Sequence, residues 1–187
     1  GGNPRRHAHA AQPTSRRPWR RNRPNEVVPT HTYALDTMPA SYASVYVHLV
    51  WSTRYREPLI SPVWSSDLYA FIGGILRQRR MKLLAVGGVE DHIHLLCSLD
   101  RGIAISDLAR AIKANSSHWV RENQVPRFHW QDGYGCFSVS YSNLASVEHY
   151  ITHQREHHHA QSYEAEMRRF FTACSMEVED GFFEVPG

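Results

Sequence analysis

An α+β, ferredoxin-like fold, with four antiparallel strands and two helices on one face, follows from three observations on this sequence. Segments rich in Val, Tyr, Ile and Leu with period-two alternation recur at 42–52, 81–89, 91–99 and 133–140. Stretches with apolar residues at helical spacing separate the first segment from the second and the third from the fourth. The second and third segments are joined too tightly for anything but an antiparallel pair. The order is therefore β-α-β-β-α-β, the split βαβ, and a further helix is added after the fourth strand.

In the first strand, Tyr42–Ser52, residues Val45, Val47, Leu49 and Trp51 share one face, and Tyr46, His48 and Val50 share the other. Arg54–Pro58 is a polar turn. Ser61 or Ser65 starts a helix that runs to about Arg80, with Leu68, Phe71, Ile72, Ile75 and Leu76 inward and a basic end suited to a helix C-terminus. Met81–Val89 is the second strand, with a bulge or bend signalled by Gly87-Gly88, and Asp91–Leu99 is the third. Ile105–Asn123 is the second amphipathic helix, Gln124–Asp132 a loop and Gly133–Ser140 the fourth strand. Ser142 or Asn143 then caps a helix from Leu144 to about His159. Tyr163–Phe171 reads as a short last helix, followed by a polar tail.

The chain holds 21 basic and 18 acidic residues, unevenly spread. Seven arginines stand against Glu26 and Asp36 in residues 1–39, which leaves 14 basic and 16 acidic residues, a net charge of −2, for the rest. Any nucleic acid is therefore gripped by a local patch and not by a basic slab. Residues 1–39 lack apolar periodicity and read as a disordered basic arm, or as an over-called extension ahead of a start at Met38. A phosphate-gripping arm and an organelle transit peptide are the other readings of such a beginning. Residues 40–172 then form the folded domain and 173–187 a tail. Three cysteines without metal spacing suit a reduced, cytoplasmic protein. No apolar run approaches the ~20 residues of a membrane span.

Two patterns carry chemistry. His92 and His94 lie two apart on a strand, so both imidazoles project from one face with Cβ atoms roughly 7 Å apart, within reach of one metal ion. Alone, such a pair is more often structural. On the helix after the fourth strand, Tyr150, Gln154 and His158 form one stripe, beside an apolar stripe of Val147 and Ile151 that can dock it. Brought together, strand and helix give a two-histidine metal site completed by Gln154, with a tyrosine hydroxyl one turn away. A divalent ion with open positions polarises a phosphoryl oxygen, and a tyrosine in line with the phosphorus can act as a covalent nucleophile. Tyr46, Tyr134 and Tyr141 are weaker candidates, since only Tyr150 shares a helical face with Gln154. Glu90 and Asp91 flank the motif and read as a solvated strand end.

His92-Ile93-His94 matches the His-hydrophobic-His motif of HUH nucleases. Tyr150-Ile151-Thr152-His153-Gln154-Arg155-Glu156-His157-His158 resembles the tyrosine helix of the TnpA-like single-tyrosine HUH transposases of small bacterial insertion sequences, to which REP-associated tyrosine transposases are related. The segments 44–53 and 133–140 are similar too, so the resemblance spans about Tyr42 to Phe171 in the right order. It implies a ferredoxin-like homodimer that recognises hairpins and cleaves single-stranded DNA with Mg2+ or Mn2+. Cleavage leaves a 5′-phosphotyrosine and a free 3′-OH. It implies Tyr150 as nucleophile and His92, His94 and Gln154 as metal ligands, with the tyrosine helix able to act in the partner's site. The implied place of work is the bacterial cytoplasm, at the nucleoid.

His158 and His48 are candidates for support of the site or contact with DNA. For DNA binding the candidates are Arg54, Arg77, Arg79, Arg80, Lys82 and Lys113, with Arg56, Arg110, Arg121 and Arg127 behind them. Trp119 and Trp130 are candidates for stacking on bases. The rival readings are a domesticated or inactive relative and a ferredoxin-like nucleic-acid binder without catalysis. RNA-binding versions of the fold carry paired aromatics on the central strands, where this chain has His92 and His94.

Overall fold

The computed structural model describes residues 42–158, 162–178 and 182–183. The expectations for residues 1–39 lie outside the described residues. Four strands, β1 (Tyr46–Ser52), β2 (Leu83–Gly88), β3 (His92–Ser98) and β4 (Gly135–Val139), form one antiparallel sheet in the order β2-β3-β1-β4. β1 and β3 are the central pair, as the split βαβ order requires. Helices α1 (Ser65–Gln78) and α2 (Ile105–Asn123) cover one face. The chain therefore has the α+β, ferredoxin-like architecture expected from its pattern of elements.

Strand alternation builds the core. Val47, Leu49 and Trp51 from β1 and Ile93, Leu95 and Cys97 from β3 meet Leu68, Ile72 and Leu76 of α1 and Leu108 and Ile112 of α2. At the end of α1, Arg80 takes a left-handed conformation (φ 58°) and Met81 N–H donates to Leu76 C=O, turning the chain into β2.

The alternate residues of the central strands, His48 and Val50 on β1 and His92, His94 and Leu96 on β3, project from the opposite face. Helix α3 (Leu144–Thr152), the short α4 (Gln154–His158) and α5 (Tyr163–Ala173) follow β4. Ile151 of α3 packs with Ala85 and Leu96, so the tyrosine-bearing helix docks on its own sheet. Gly87 permits the close approach, because a Cβ there would overlap the backbone carbonyl oxygen of Ile151. Tyr163, Met167 and Phe171 of α5 pack with Val50 and Phe137. Ser162 caps α5, its Oγ accepting from Ala165 N–H. In the expected polar tail, Val178, Phe182 and Phe183 pack against this same cluster.

The single helix expected over Leu144–His159 is broken at His153 (φ −106°, ψ 24°). Thr152 Oγ1 donates to the carbonyls of Glu148 (2.9 Å) and His149 (3.1 Å), and His153 Nδ1 lies 2.7 Å from the latter. Side chains thus compete with the main chain for the last helical carbonyls, which ends the helix at Thr152, two residues before Gln154. The stripe of Tyr150, Gln154 and His158 read on one continuous wheel is accordingly divided between α3 and α4. The side chain of His158 lies outside the described residues.

Candidate active site

His92 and His94 are both fully buried, on the face away from α1 and α2. Each ring is tied back through Nδ1. His92 Nδ1 stands 2.6 Å from Asp91 Oδ1, and His94 Nδ1 stands 2.9 Å from His48 Nε2. A carboxylate accepts, so His92 Nδ1 donates to Asp91, and the ring turns its Nε2 toward α5. Burial, and then the charge of His94, holds His48 down at about 3, so His48 is neutral and can accept from His94 Nδ1–H in the same way. Two imidazoles held through Nδ1, with Nε2 turned to the same side, are the arrangement of a metal-binding histidine pair.

Asp91 is itself anchored. Arg56 Nε and Nη2 donate to its Oδ2 at 3.1 and 2.7 Å. Burial alone would push the Asp91 carboxyl up, but the hydrogen bond and charge of His92, and those of Arg56, outweigh it and hold it at about 2. The turn that delivers Arg56 is strained, with Tyr55 and Arg56 at φ 57° and 56°. Thr53 pins it, its N–H donating to Asp91 C=O at 2.8 Å and its Oγ1 to Glu57 C=O at 2.6 Å. The sequence reading of Asp91 as a solvated strand end is therefore corrected: its side chain is 17% exposed and bridges Arg56 to His92.

The two Nε2 atoms converge on Glu166 of α5. His92 Nε2 lies 3.7 Å from Glu166 Oε2, and His94 Nε2 lies 3.4 Å from Glu166 Oε1. One ligand atom from each of the three falls within 4.8 Å of the others. Gln154 Nε2 donates to Glu166 Oε1 at 3.2 Å, while Gln154 Oε1 is buried with no hydrogen-bond partner among the described residues. Burial pushes the Glu166 carboxyl up to about 7, against the pull of His92 and Arg169. Two imidazole nitrogens, a carboxylate and an orphaned amide oxygen make a donor set that fits a divalent cation such as Mg2+ or Mn2+.

Tyr150 of α3 stands over this group. Its ring meets His94 edge-on at 5.9 Å between centroids and lies 6.4 Å from His48 and 5.9 Å from Phe170. A cleft of about 330 Å³ is lined in part by His48, Val147, Tyr150, Glu166, Arg169 and Phe170. The phenol and the carboxylate thus border one cleft.

The structure therefore gathers Tyr150, His92, His94, Gln154 and His48 around one point. The rival tyrosines stand elsewhere: Tyr141 is exposed, its ring tilted against that of Tyr46 at 6.3 Å, and Tyr134 packs at the edge of the core below the sheet. Among the basic candidates, Arg80 and Lys82 border one groove with Arg101. Arg77 is exposed, and Arg79 folds back to donate to Ile75 C=O. Arg54 lies over the Tyr55 ring, and Lys113 donates to the carbonyls of Asp132 and Gly133. Trp130 is not available for base stacking. It is 6% exposed, packed edge-on against Trp51 and Phe128, with its Nε1–H donating to Ser116. Trp119 stacks on Phe71 between α1 and α2.

Glu166 was the residue missed. Its signal is in the sequence: on the α5 wheel it falls within the stripe of Tyr163, Met167, Phe170 and Phe171, and a carboxylate on a core-facing stripe needs a partner. Arg56 and Asp91 had no comparable signal, because their pairing depends on a tertiary turn.

Comparisons with known proteins point the same way. A family model described as "Transposase IS200 like" matches residues 41–154, more than half of the chain. The ISDra2 transposase TnpA of Deinococcus radiodurans is 25% identical over 116 residues, covering 58% of this chain and 83% of the relative. The crystal structure of a candidate transposase from Deinococcus radiodurans R1 superposes with a TM-score of 0.51 at 22% identity, covering 63% of this chain and 95% of that one. A REP-associated tyrosine transposase bound to a REP hairpin gives a TM-score of 0.49 at 16% identity, covering 82% of this chain and 94% of that one. No helix among the described residues is long and apolar enough to cross a membrane. A β1-β3 pair presenting His92 and His94 and a tyrosine helix docked above them both fall within the matched segment, and on that match this chain belongs to the IS200-like transposase family.

Proposed function

We propose that this transposase cleaves and rejoins single-stranded DNA at hairpin-marked ends through a 5′-phosphotyrosine on Tyr150. The observation that carries the reading is the edge-on approach of Tyr150 to His94, 5.9 Å between rings, above a histidine pair whose rings are oriented through Nδ1 by His48 and Asp91. Bound by His92, His94 and the Gln154 amide oxygen, Mg2+ or Mn2+ would withdraw charge from the scissile phosphate. The Tyr150 oxygen attacks phosphorus and the bond from phosphorus to the 3′ oxygen breaks. Tyr150 loses its phenolic proton and the departing 3′ oxygen gains one, so a 3′-OH is left. Attack of another 3′-OH on the phosphotyrosine reverses these changes and rejoins the strands without an external energy source. His48 and Asp91 fix the ring orientations of His94 and His92 throughout.

For the assembly, we propose a homodimer in which each tyrosine acts on its own chain's histidines. The seating of Ile151 between Ala85 and Leu96 of the same sheet favours this over exchange of the helix with a partner. Arg80 and Lys82 border the groove best suited to hold the phosphates of a hairpin. The residues 1–39 arm is proposed as an accessory to the 40–172 domain. The test uses hairpin-bearing single-stranded DNA labelled separately at each end and incubated with Mn2+. A protease-sensitive adduct should retain the 3′ label and release the fragment with the 5′ label. Retention of the 5′ label instead would show the opposite polarity and sink the reading.

A further inference from the structure

We infer that the cleft between α3 and α5 receives the unpaired nucleotide beside the scissile phosphate, its base against Phe170 and the neighbouring phosphate on Arg169. The inference rests on Tyr150 as the nucleophile and names the part of the DNA strand that α5 would hold. The cleft has a volume of about 330 Å³, near the small end of ligand pockets (about 300–1,000 Å³), which suits one nucleotide and not a paired stem. Arg169 and Ala173 are exposed and stand at its mouth, while His48 is buried at its floor. Its walls are half-buried and largely apolar, Val147 and Tyr150 from α3 and Phe170 from α5. Three other rings fix Phe170. It stacks on Phe137 at 5.1 Å and meets His48 and Tyr150 nearly at right angles, at 5.2 and 5.9 Å. A ring held in this way is a preformed wall for a base and loses little freedom when one packs on it. Among the described residues that line the cleft, Arg169 is the one arginine or lysine. It follows Glu166 by three positions, on the same side of α5. Burial raises the Glu166 carboxyl, and Arg169 is among the charges that oppose this. A guanidinium has five donors and can serve a protein group and a phosphate oxygen together. A strand entering here meets a cation at the mouth, then an aromatic wall, then Tyr150. The family model ends at residue 154, so the α5 half of the cleft lies outside that match.

The test couples changes in the protein to changes in the DNA. It reads covalent adduct formation by the full chain with Mn2+ and hairpin-bearing single-stranded DNA. Single methylphosphonates, each removing the charge of one phosphate, are placed in turn at the phosphates flanking the one that Tyr150 takes. At one of these positions wild type should lose about tenfold in kcat/KM, and Arg169→Ala should lose about as much on unmodified DNA. The two changes together should then cost no more than either alone. Losses that multiply at every position are what a structural role for Arg169 gives. They would overturn the inference, while the adduct itself would leave Tyr150 standing as nucleophile. The base is tested with Ala173→Trp, whose indole fills the cleft from an exposed position. Removing the base beside the scissile phosphate should slow wild type about tenfold and Ala173→Trp less than about twofold. Equal losses in both proteins would overturn the inference, and this comparison decides it even if Arg169→Ala does not fold. If wild type forms no adduct on such DNA, the proposed function falls and the inference falls with it.

Discussion

Gly87→Ala tests whether the tyrosine helix works from where it is seated. Gly87 pairs with His94 across β2 and β3 and lies directly under α3. An added Cβ would overlap the Ile151 carbonyl oxygen and stand 3.1 Å from its carbonyl carbon. That oxygen belongs to the helix backbone and cannot rotate aside. Restoring an ordinary C···O contact of about 3.3 Å lifts α3 from the sheet by about 1 Å. Overpacking of this kind costs about 1–3 kcal/mol, or roughly 2–12 °C in melting temperature for a chain of this size. Tyr150 lies one residue from the contact, and a misplacement of about 1 Å costs about 100-fold in rate. His92 and His94 are strand-borne and should keep their hold on the cation. The assay is the initial rate of covalent adduct formation, run beside Mn2+ calorimetry and a thermal melt. A rate within about threefold of wild type, with the protein folded, would refute the reasoning, because α3 would then not be seated on β2 when DNA is cut.

Asp91→Ala frees the His92 ring to rotate or change tautomer and should weaken Mn2+ binding about 10–100-fold; unchanged affinity by calorimetry would show that the Arg56–Asp91 pair does not support the site. Burial pushes the thiols of Cys97 and Cys136 up to about 12 and about 11, so their thiolate fraction at pH 8 is negligible, while Cys174 is exposed. A thiol reagent at pH 8 should therefore label Cys174 first and the other two only after denaturation, as read by mass spectrometry. Replacing Arg80 and Lys82 together with alanine should weaken hairpin binding uniformly across sequences and reduce the slope of log affinity against log salt by about 2. Weaker binding with the full salt slope would place the phosphate contacts elsewhere.

The fold was legible because its determinants are local. Period-two alternation in 45–51 and 93–97 set which residues face α1 and α2, and the same alternation put His48, His92 and His94 on the opposite face. The tyrosine helix was legible for the same reason, through the Val147 and Ile151 stripe. What was hidden depends on contacts between distant segments. The break at His153 arises from Thr152 and His153 side chains capturing helical carbonyls, which a wheel does not represent. Asp91 looked like a solvated strand end because its partner, Arg56, reaches it through a left-handed turn. Trp130 looked like a stacking platform because nothing in its neighbours announces that Trp51 and Phe128 enclose it. Glu166 lay between the two cases: its place in an apolar stripe was readable, but its approach to the histidines depends on the packing of α5 against Val50 and Phe137 of the sheet.

The central claim is that Tyr150 receives the DNA phosphate. The direct measurement is peptide mapping of the covalent adduct formed on hairpin-bearing single-stranded DNA with Mn2+, with Tyr150→Phe treated in parallel. The account predicts a phosphonucleotide mass on the peptide containing Tyr150, and no adduct from Tyr150→Phe even though that variant still binds the hairpin. A modified peptide bearing Tyr46, Tyr134, Tyr141 or Tyr163 instead, or an undiminished adduct from Tyr150→Phe, would contradict it.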